Sequence, residues 1–353
     1  MQQHQKELDA ADESLSVRTG NNRYYDEISE LARFFFGDAT MHDFTQVQWD
    51  EDLINDCHYL IRLAIREDLG RSYDCTTVAL IPPEVQGRAV VTARREGIVC
   101  GLDAAQQVLQ EMEISEIWEP LAKDGQIVTA GTKLASLRGS ARDLLTSERL
   151  ILNFIGRLSG IATLTRQFVD AVAGTNARIY DTRKTTPGWR RLEKFSVRCG
   201  GGRNHRTGLY DAILIKDNHL ALRNDQLTSE TSPGSAVEVA RAFASELRQT
   251  TDSTKPMLIE IEVDTLQQFD SALHRHPDII LLDNMSTQQL SDAVARRDRI
   301  GSAAELEASG GITLDTVQAV AATGVDRISV GSLTHSAVAL DVGLDWLPAP
   351  SNP

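Results

Sequence analysis

Arg183, Lys184, Lys216, Glu262, Asp283, Ser309 and Ser332 share a setting: each stands at or just past the end of a short apolar run, before a polar or glycine-bearing turn. The runs are RIYDTRK, AILIKDN, LIEIEVD, IILLDN, ELEASGG and RISVGS. Their tips divide into cations, carboxylates and glycine turns, and each class has its own chemical use. Residues 181–216 hold nine Lys or Arg against three acids, so this segment is +6 inside a chain of formal charge −14. Arg offers a carboxylate or phosphate a planar fork of donors, and Lys a compact point charge. A basic loop can also be a solvated surface paired with acids. Arg183, Lys184 and Lys216 stand at run ends rather than in mid-loop, which favours convergence on one anion. Glu262 and Asp283 supply hard oxygens suited to a magnesium ion bridged to phosphate, or to sugar hydroxyls. Acids in such places also cap helices, and Glu260 competes with Glu262 because LIEIEVD alternates. SGG (Ser309, Gly310, Gly311) and VGS (Gly331, Ser332) precede the helical patterns ITLDTVQAV and LTHSAVALD, which puts bare N–H groups at helix starts, where phosphate binds. Together the three classes describe an enzyme for a phosphorylated sugar, a metal and an acidic partner.

Placing these tips side by side requires strands that end on one edge of a sheet. Amphipathic patterns such as TLQQFDSALHRH, TQQLSDAVARRDR and LDTVQAVAATG separate several of the runs, and apolar strands alternating with helices signify βα units on a parallel sheet. Glu262 to Asp283 is 21 residues, Asp283 to Ser309 is 26, and Ser309 to Gly331 is 22, a barrel-like rhythm. Residues 152–337 number only 186, short of the ~250 typical of a closed eight-fold barrel. The expected fold class is therefore α/β, with an open, incomplete α/β barrel. Residues 53–151 read as a small α/β layer domain, which the C-terminal segment 338–353 is expected to join. The polar stretch 223–256 reads as an insertion around one helix, and residues 1–52 as an acidic extension. That extension carries 12 acids and 4 bases, and its cluster Leu31, Phe34, Phe35, Phe36 is expected to dock.

With 41% apolar and 24% charged residues, the 353-residue chain is an ordinary globular protein with a sizeable core. Its acidity argues against a general nucleic-acid or anionic-membrane binder. Cys57, Cys75, Cys100 and Cys199 show no metal or redox spacing, the start MQQHQKELDAADESLS has no apolar signal core, and no run suits a membrane span. These features set the expectation of a cytoplasmic protein. His274 and His276 are expected in a turn rather than on a metal, and Trp189 and Tyr210 to pack beside the cationic loop.

The segments AIREDLGRSYDCTT, SERLILNFIGRLSGIAT, DTRKTTPGWRRLEKFSVRCGGGRNHRTGLYDAILIKDNH, IEVDTLQQFD, IILLDNMS, LEASGGIT and ISVGSLTHS resemble those of the quinolinate phosphoribosyltransferases, from about residue 53 to 345. The resemblance implies a sandwich domain followed by an open barrel, and active sites shared across a homodimer. It implies that quinolinate and phosphoribosyl pyrophosphate give nicotinate mononucleotide, pyrophosphate and CO2, with Mg²⁺. By the same resemblance, Arg149 is lent by the partner subunit to the quinolinate site, where Arg183, Lys184, His205, Arg206 and Lys216 supply the other cations. Glu262 and Asp283 correspond to the acids at the ribose and metal site, and Ser309, Gly310, Gly331, Ser332 and His335 to the phosphate-binding turns. RSYDCTT departs from the family's usual Gly-Asp spelling. A related protein linked to molybdenum transport, another phosphate-binding barrel enzyme and a non-catalytic sensor are the rival readings. The full cationic set favours quinolinate.

Overall fold

The computed structural model describes residues 43–114, 117–226, 232–250 and 256–347. The cluster Leu31, Phe34, Phe35, Phe36 lies outside the described residues, as does part of the expected insertion. Helix α1 (Glu51–Leu69) starts where the Asp50 carboxylate accepts from Leu53 N at 2.9 Å, and it stops at Gly70, whose φ of 59° favours glycine. Helix α2 (Cys75–Leu80) is capped by Asp74, which accepts from Thr77 N and Oγ1, so the RSYD spelling retains a working cap. Strands β1 (Gln86–Ala93) and β2 (Gly97–Ile98), helix α3 (Leu102–Glu111), and strands β3 (Ile117–Pro120), β4 (Ile127–Val128) and β5 (Lys133–Ser140) follow. Helix α4 (Ala141–Ala171) has 31 residues without a proline, and its Ser140 cap accepts from Asp143 N.

The six apolar runs form six strands. They are β6 (Arg178–Tyr180), β7 (Ile213–Ile215), β8 (Ile259–Val263), β9 (Ile279–Asp283), β10 (Glu305–Ser309) and β11 (Arg327–Ser329). Between and after them run α5 (Arg190–Cys199), α6 (Asp217–Gln226), α7 (Pro233–Thr250), α8 (Leu266–Leu273), α9 (Thr287–Ile300), α10 (Leu314–Ala321) and the single turn α11 (Ser332–His335). Strand β12 (Val342–Trp346) ends the described chain. Among the described residues no helix is long and apolar enough to cross a membrane.

All pairings in the six-stranded sheet are parallel, in the order β6-β11-β10-β9-β8-β7. Among the described residues no pairing joins β6 to β7, so the barrel stays open; instead Arg203 lies beside β6, bridged to Tyr180. The period of two along each strand separates two kinds of face. Ile179, Ile215, Ile259, Ile261, Ile280, Leu282, Leu306 and Ile328 pack in a core with helices α4 and α7–α10. Tyr180, Glu260, Glu262, Asp283, Glu305, Glu307, Ser309, Arg327 and Ser329 occupy the opposite face. The second sheet, antiparallel and ordered β12-β1-β5-β3, packs with α1, α3 and the first half of α4 around Leu53, Val91, Val108, Leu134 and Phe154.

Helix α4 runs through the boundary expected at residues 151 and 152, contributing Leu144, Ile151 and Phe154 to one core and Ile161 and Phe168 to the other. The helix expected over LTHSAVALD is cut to one turn, α11. The reason is a crossing. The chain after α11 passes over α4 at two glycines, and Leu340 N donates to Gly156 O at 2.9 Å, a bond that a continuing helix would forbid. A Cβ on Gly160 would lie 2.2 Å from Val338 O. Gly160→Ala is expected to force this crossing apart at a cost of about 1–3 kcal/mol, seen as a lower denaturation midpoint.

Candidate active site

The strand tips converge. One cavity of about 410 Å³ is lined by Arg183 and Lys184 after β6, Lys216 after β7, Glu262 on β8, Asp283 on β9 and Ser309 on β10, together with His205 and Arg206. Thr182, Leu214, Leu281, Glu307 and Ser329 complete the lining. Lys216 is ion-paired with Glu262. Burial raises the Glu262 pKa while Lys216 restrains it, and burial with neighbouring Asp264 raises that of Asp283. Burial, then the nearby Arg183, lowers the pKa of Arg206. Among the described residues neither Arg183 nor Lys184 has a carboxylate within ion-pairing distance, and Arg183 Nε is buried without a hydrogen-bond partner.

Only four of the nine cations in 181–216 line this cavity. The other five build its frame. Arg190 donates to Thr185 Oγ1, Arg191 meets Asp52 and Asp56, Arg198 donates to Val47 O and Arg203 to Asp43. Lys194 is fully buried and paired with Asp181, and it also donates to His205 O at 2.8 Å. Burial lowers the Lys194 pKa and raises that of Asp181, and their mutual attraction opposes both shifts. Asp181 also accepts from Asn204 Nδ2 at 2.7 Å and His205 N at 2.8 Å, which fixes the loop before the cavity.

Glu260 and Glu262 are not alternatives. Residues two apart on a strand share a face, so both point inward at different depths. Glu260 is fully buried, 3.0 Å from His205 Nε2, and Glu307 is 3.6 Å from the same nitrogen. The Arg206 N–H donates to His205 Nδ1 at 2.8 Å. Burial lowers the imidazole pKa and the two glutamates raise it further than that, yet a proton on Nδ1 would face the Arg206 N–H. We therefore assign His205 as neutral, with its proton on Nε2 and donated to Glu260. Its place among the site's cations, which the resemblance implies, does not fit this geometry. His205, Glu260 and Glu307 hold ligand atoms within 4.8 Å of one another, the spacing of a metal site, but the Arg327 guanidinium lies 4.0 Å from Glu307 and opposes a cation there.

The glycine turns sit differently from expectation. Gly310, Gly331, Ser332 and His335 do not line the cavity. Gly310 has a φ of 100°, and a Cβ there would lie 2.2 Å from Asn284 Oδ1, so the turn demands glycine for its own packing. A Cβ on Gly331 would come 3.0 Å from Lys184 Cδ and 3.3 Å from His335 Nε2, and Thr334 Oγ1 donates to Lys184 O at 2.8 Å. The second turn thus backs Lys184. Arg149 does not line this cavity: it is exposed on α4 and lines a separate cavity of about 610 Å³ with Arg157, Trp189 and Asp341. Trp189 stacks on Phe154 with ring centroids 4.9 Å apart, and Tyr210 is exposed. His276, after α8, has a φ of 50°, a turn conformation. Sequence reasoning missed Glu307 and Ser329, which the period-two continuation inward from the tips of β10 and β11 would have found.

A family model for the N-terminal domain of quinolinate phosphoribosyl transferase matches residues 74–159, and one for the C-terminal domain matches residues 161–345. The chain belongs to this family. It is 41% identical over 300 residues to the carboxylating nicotinate-nucleotide pyrophosphorylase of Mycobacterium leprae, covering 83% of this chain and all (100%) of that one. It is 37% identical over 304 residues to the chloroplastic carboxylating enzyme of Arabidopsis thaliana, covering 82% of each chain. The solved nicotinate-nucleotide pyrophosphorylase of Francisella tularensis superposes with a TM-score of 0.76 at 34% identity, over 86% of this chain and 100% of that one.

Within the family fold, the buried glutamates make a testable electrostatic statement. Burial, then the charge of Glu260, pushes the Glu307 pKa from 4.5 to about 7. Below its unfolded value Glu307 is protonated in both states and costs nothing. As pH rises toward 7 the folded state retains a proton that the unfolded state has lost, so stability falls, by roughly 3 kcal/mol in all. Glu307→Gln removes this term. Its stability relative to wild type is expected to rise between pH 4.5 and pH 7 in chemical denaturation.

Proposed function

We propose that the chain transfers a phosphoribosyl group from phosphoribosyl pyrophosphate to quinolinate with loss of CO2, giving nicotinate mononucleotide and pyrophosphate in NAD biosynthesis. One observation carries this reading beyond family membership: Arg183, Lys184, Arg206 and Lys216 line the same cavity as the carboxylates Glu262 and Asp283. Quinolinate brings two carboxylates, and removing them from water requires concentrated cations already held in place. Arg183 and Lys184 meet this need, because no acid among the described residues is ion-paired with them. Departure of pyrophosphate leaves positive charge on the ribose, which carboxylates on the strand tips stabilise electrostatically. The ring nitrogen then bonds to the ribose, and the pyridinium formed accepts the electron pair left as the 2-carboxylate departs as CO2. A proton finally replaces CO2 on the ring carbon. None of these steps needs a covalent nucleophile.

Glu262 and Asp283 have the hard oxygens for Mg²⁺, but Lys216 occupies Glu262, so the ion would rest mainly on substrate oxygens. When bound, it would neutralise the leaving pyrophosphate. The four cysteines are free thiols, which suits a reducing compartment such as the cytoplasm. Arg149 lines a separate cavity and not the one that holds Arg183 and Lys184. We therefore read it as the arginine that a second copy receives across a homodimer interface.

Purified protein supplied with Mg²⁺, quinolinate and phosphoribosyl pyrophosphate should release CO2 and nicotinate mononucleotide in equal amounts. Arg183→Ala should lower kcat/KM for quinolinate by roughly ten- to a hundredfold, the value of a lost charge-assisted hydrogen bond. Ribosylation of nicotinate, with quinolinate left intact, would overturn the assignment. For the dimer, Arg149→Ala and Lys216→Ala are each expected to be nearly inactive and to regain activity when mixed under conditions of subunit exchange. No recovery after verified exchange would remove Arg149 from the shared site.

A further inference from the structure

The segment 43–47, which precedes α1, is tied to the back of the site by contacts that neither the family reading nor the strand-tip pattern anticipates. Asp43 accepts from Arg203 Nη1 at 2.7 Å, Arg327 Nη2 at 3.1 Å and Tyr180 Oη at 3.2 Å. Gln46 pairs twice with the backbone of Asn204: its Nε2 donates to Asn204 O at 3.1 Å, and its Oε1 accepts from Asn204 N at 2.8 Å. Val47 N donates to Asn204 Oδ1 at 2.8 Å. Between these anchors Phe44, only 4% exposed, stacks on the imidazole of His205 with centroids 4.3 Å apart and planes 27° apart. Phe44 does not line the cavity, but His205 does.

We propose that Asp43–Val47 is a positioning strap for the anion cavity, with Phe44 as its working residue. His205 is held at Nδ1 by the Arg206 N–H, at Nε2 by Glu260, and on one ring face by Phe44. Both ring nitrogens are occupied, and among the described residues Phe44 is the aromatic ring stacked on the imidazole face. Fixing the ring fixes the adjoining backbone of Arg206, whose Nη1 donates to Ala212 O at 3.0 Å while the guanidinium lines the cavity. The strap therefore sets where a cavity cation stands without touching the ligand. Identifying that ligand as a vicinal dicarboxylate rests on the proposed function.

The test uses the full chain. Phe44→Leu keeps most of the apolar volume and removes the ring plane, while Gln46→Ala removes the paired bonds to Asn204. KM is measured separately for quinolinate and for phosphoribosyl pyrophosphate, and binding of phthalate, an unreactive vicinal dicarboxylate, is measured by calorimetry. Each variant is expected to raise the quinolinate KM and weaken phthalate by roughly three- to tenfold, the worth of an aromatic pair, and to leave the other KM unchanged. Unchanged phthalate affinity and quinolinate KM in folded variants would overturn the proposal. So would a parallel rise of both KM values that tracks a lowered thermal midpoint, since that describes general loosening. If wild type binds phthalate without converting quinolinate, the reaction assignment fails, and the phthalate comparison still decides the strap.

Discussion

Charge on the inward face of the parallel sheet is the constraint to which the rest of this structure answers. A parallel sheet with helices on one side can fill its other side with apolar residues, but here that side carries Glu260, Glu305, Glu307 and Arg327, three of them fully buried. Unpaired, any of these would cost several kcal/mol. Each is met from several directions. Arg327 is paired with Glu305 and Asp43 and lies over the rings of Tyr180, at 4.3 Å, and Phe44, at 5.2 Å. Glu260 accepts a hydrogen bond from His205 Nε2, and Glu307, its pKa raised to about 7, is neutral over most of the acidic range. Because Asp43, His205 and Asn204 arrive from outside the sheet, neutralising the floor also fixes the loop that forms one wall of the cavity. The cavity cations stand where they do because the floor beneath them had to be balanced.

The strand tips were legible because their physics is local. An apolar run, a charged end and a helical pattern after it are enough to place Lys216, Glu262, Asp283 and Ser309 on one edge of a sheet, and all four line the cavity. The floor was harder to read. LIEIEVD shows two glutamates on one face, but nothing local says that His205, 55 residues earlier, will meet the deeper one. The basic segment was misleading in proportion: its +6 charge looks like a ligand site, whereas Lys194, Arg198 and Arg203 are committed to Asp181, Val47 and Asp43. Such commitments are long-range and depend on which carboxylate the fold delivers. The glycine turns are ambiguous for the opposite reason, because close packing against Asn284 and Lys184 leaves the same glycine signature as a phosphate grip.

The rim and the floor also differ in how they hold a proton. At the rim, burial raises the pKa of Glu262 and Asp283 while Lys216 restrains both, and the two carboxylates line the cavity. On the floor, both ring nitrogens of His205 are engaged, by Arg206 N–H and by Glu260, while the Glu307 carboxyl is fully buried and its pKa is raised to about 7. The separation assigns binding to the mouth and rigidity to the base.

The two family models meet at residue 160, inside α4, at the glycine over which the chain crosses back toward β12. A recognisable sequence module therefore ends in the middle of a helix that both cores use. The N-terminal half has no complete hydrophobic surface of its own: cutting there would strip Ala162, Leu192 and the return strand from its core, and would part Phe44 from Tyr180. The boundary between the two family models is therefore a boundary in sequence that helix α4 and strand β12 both bridge.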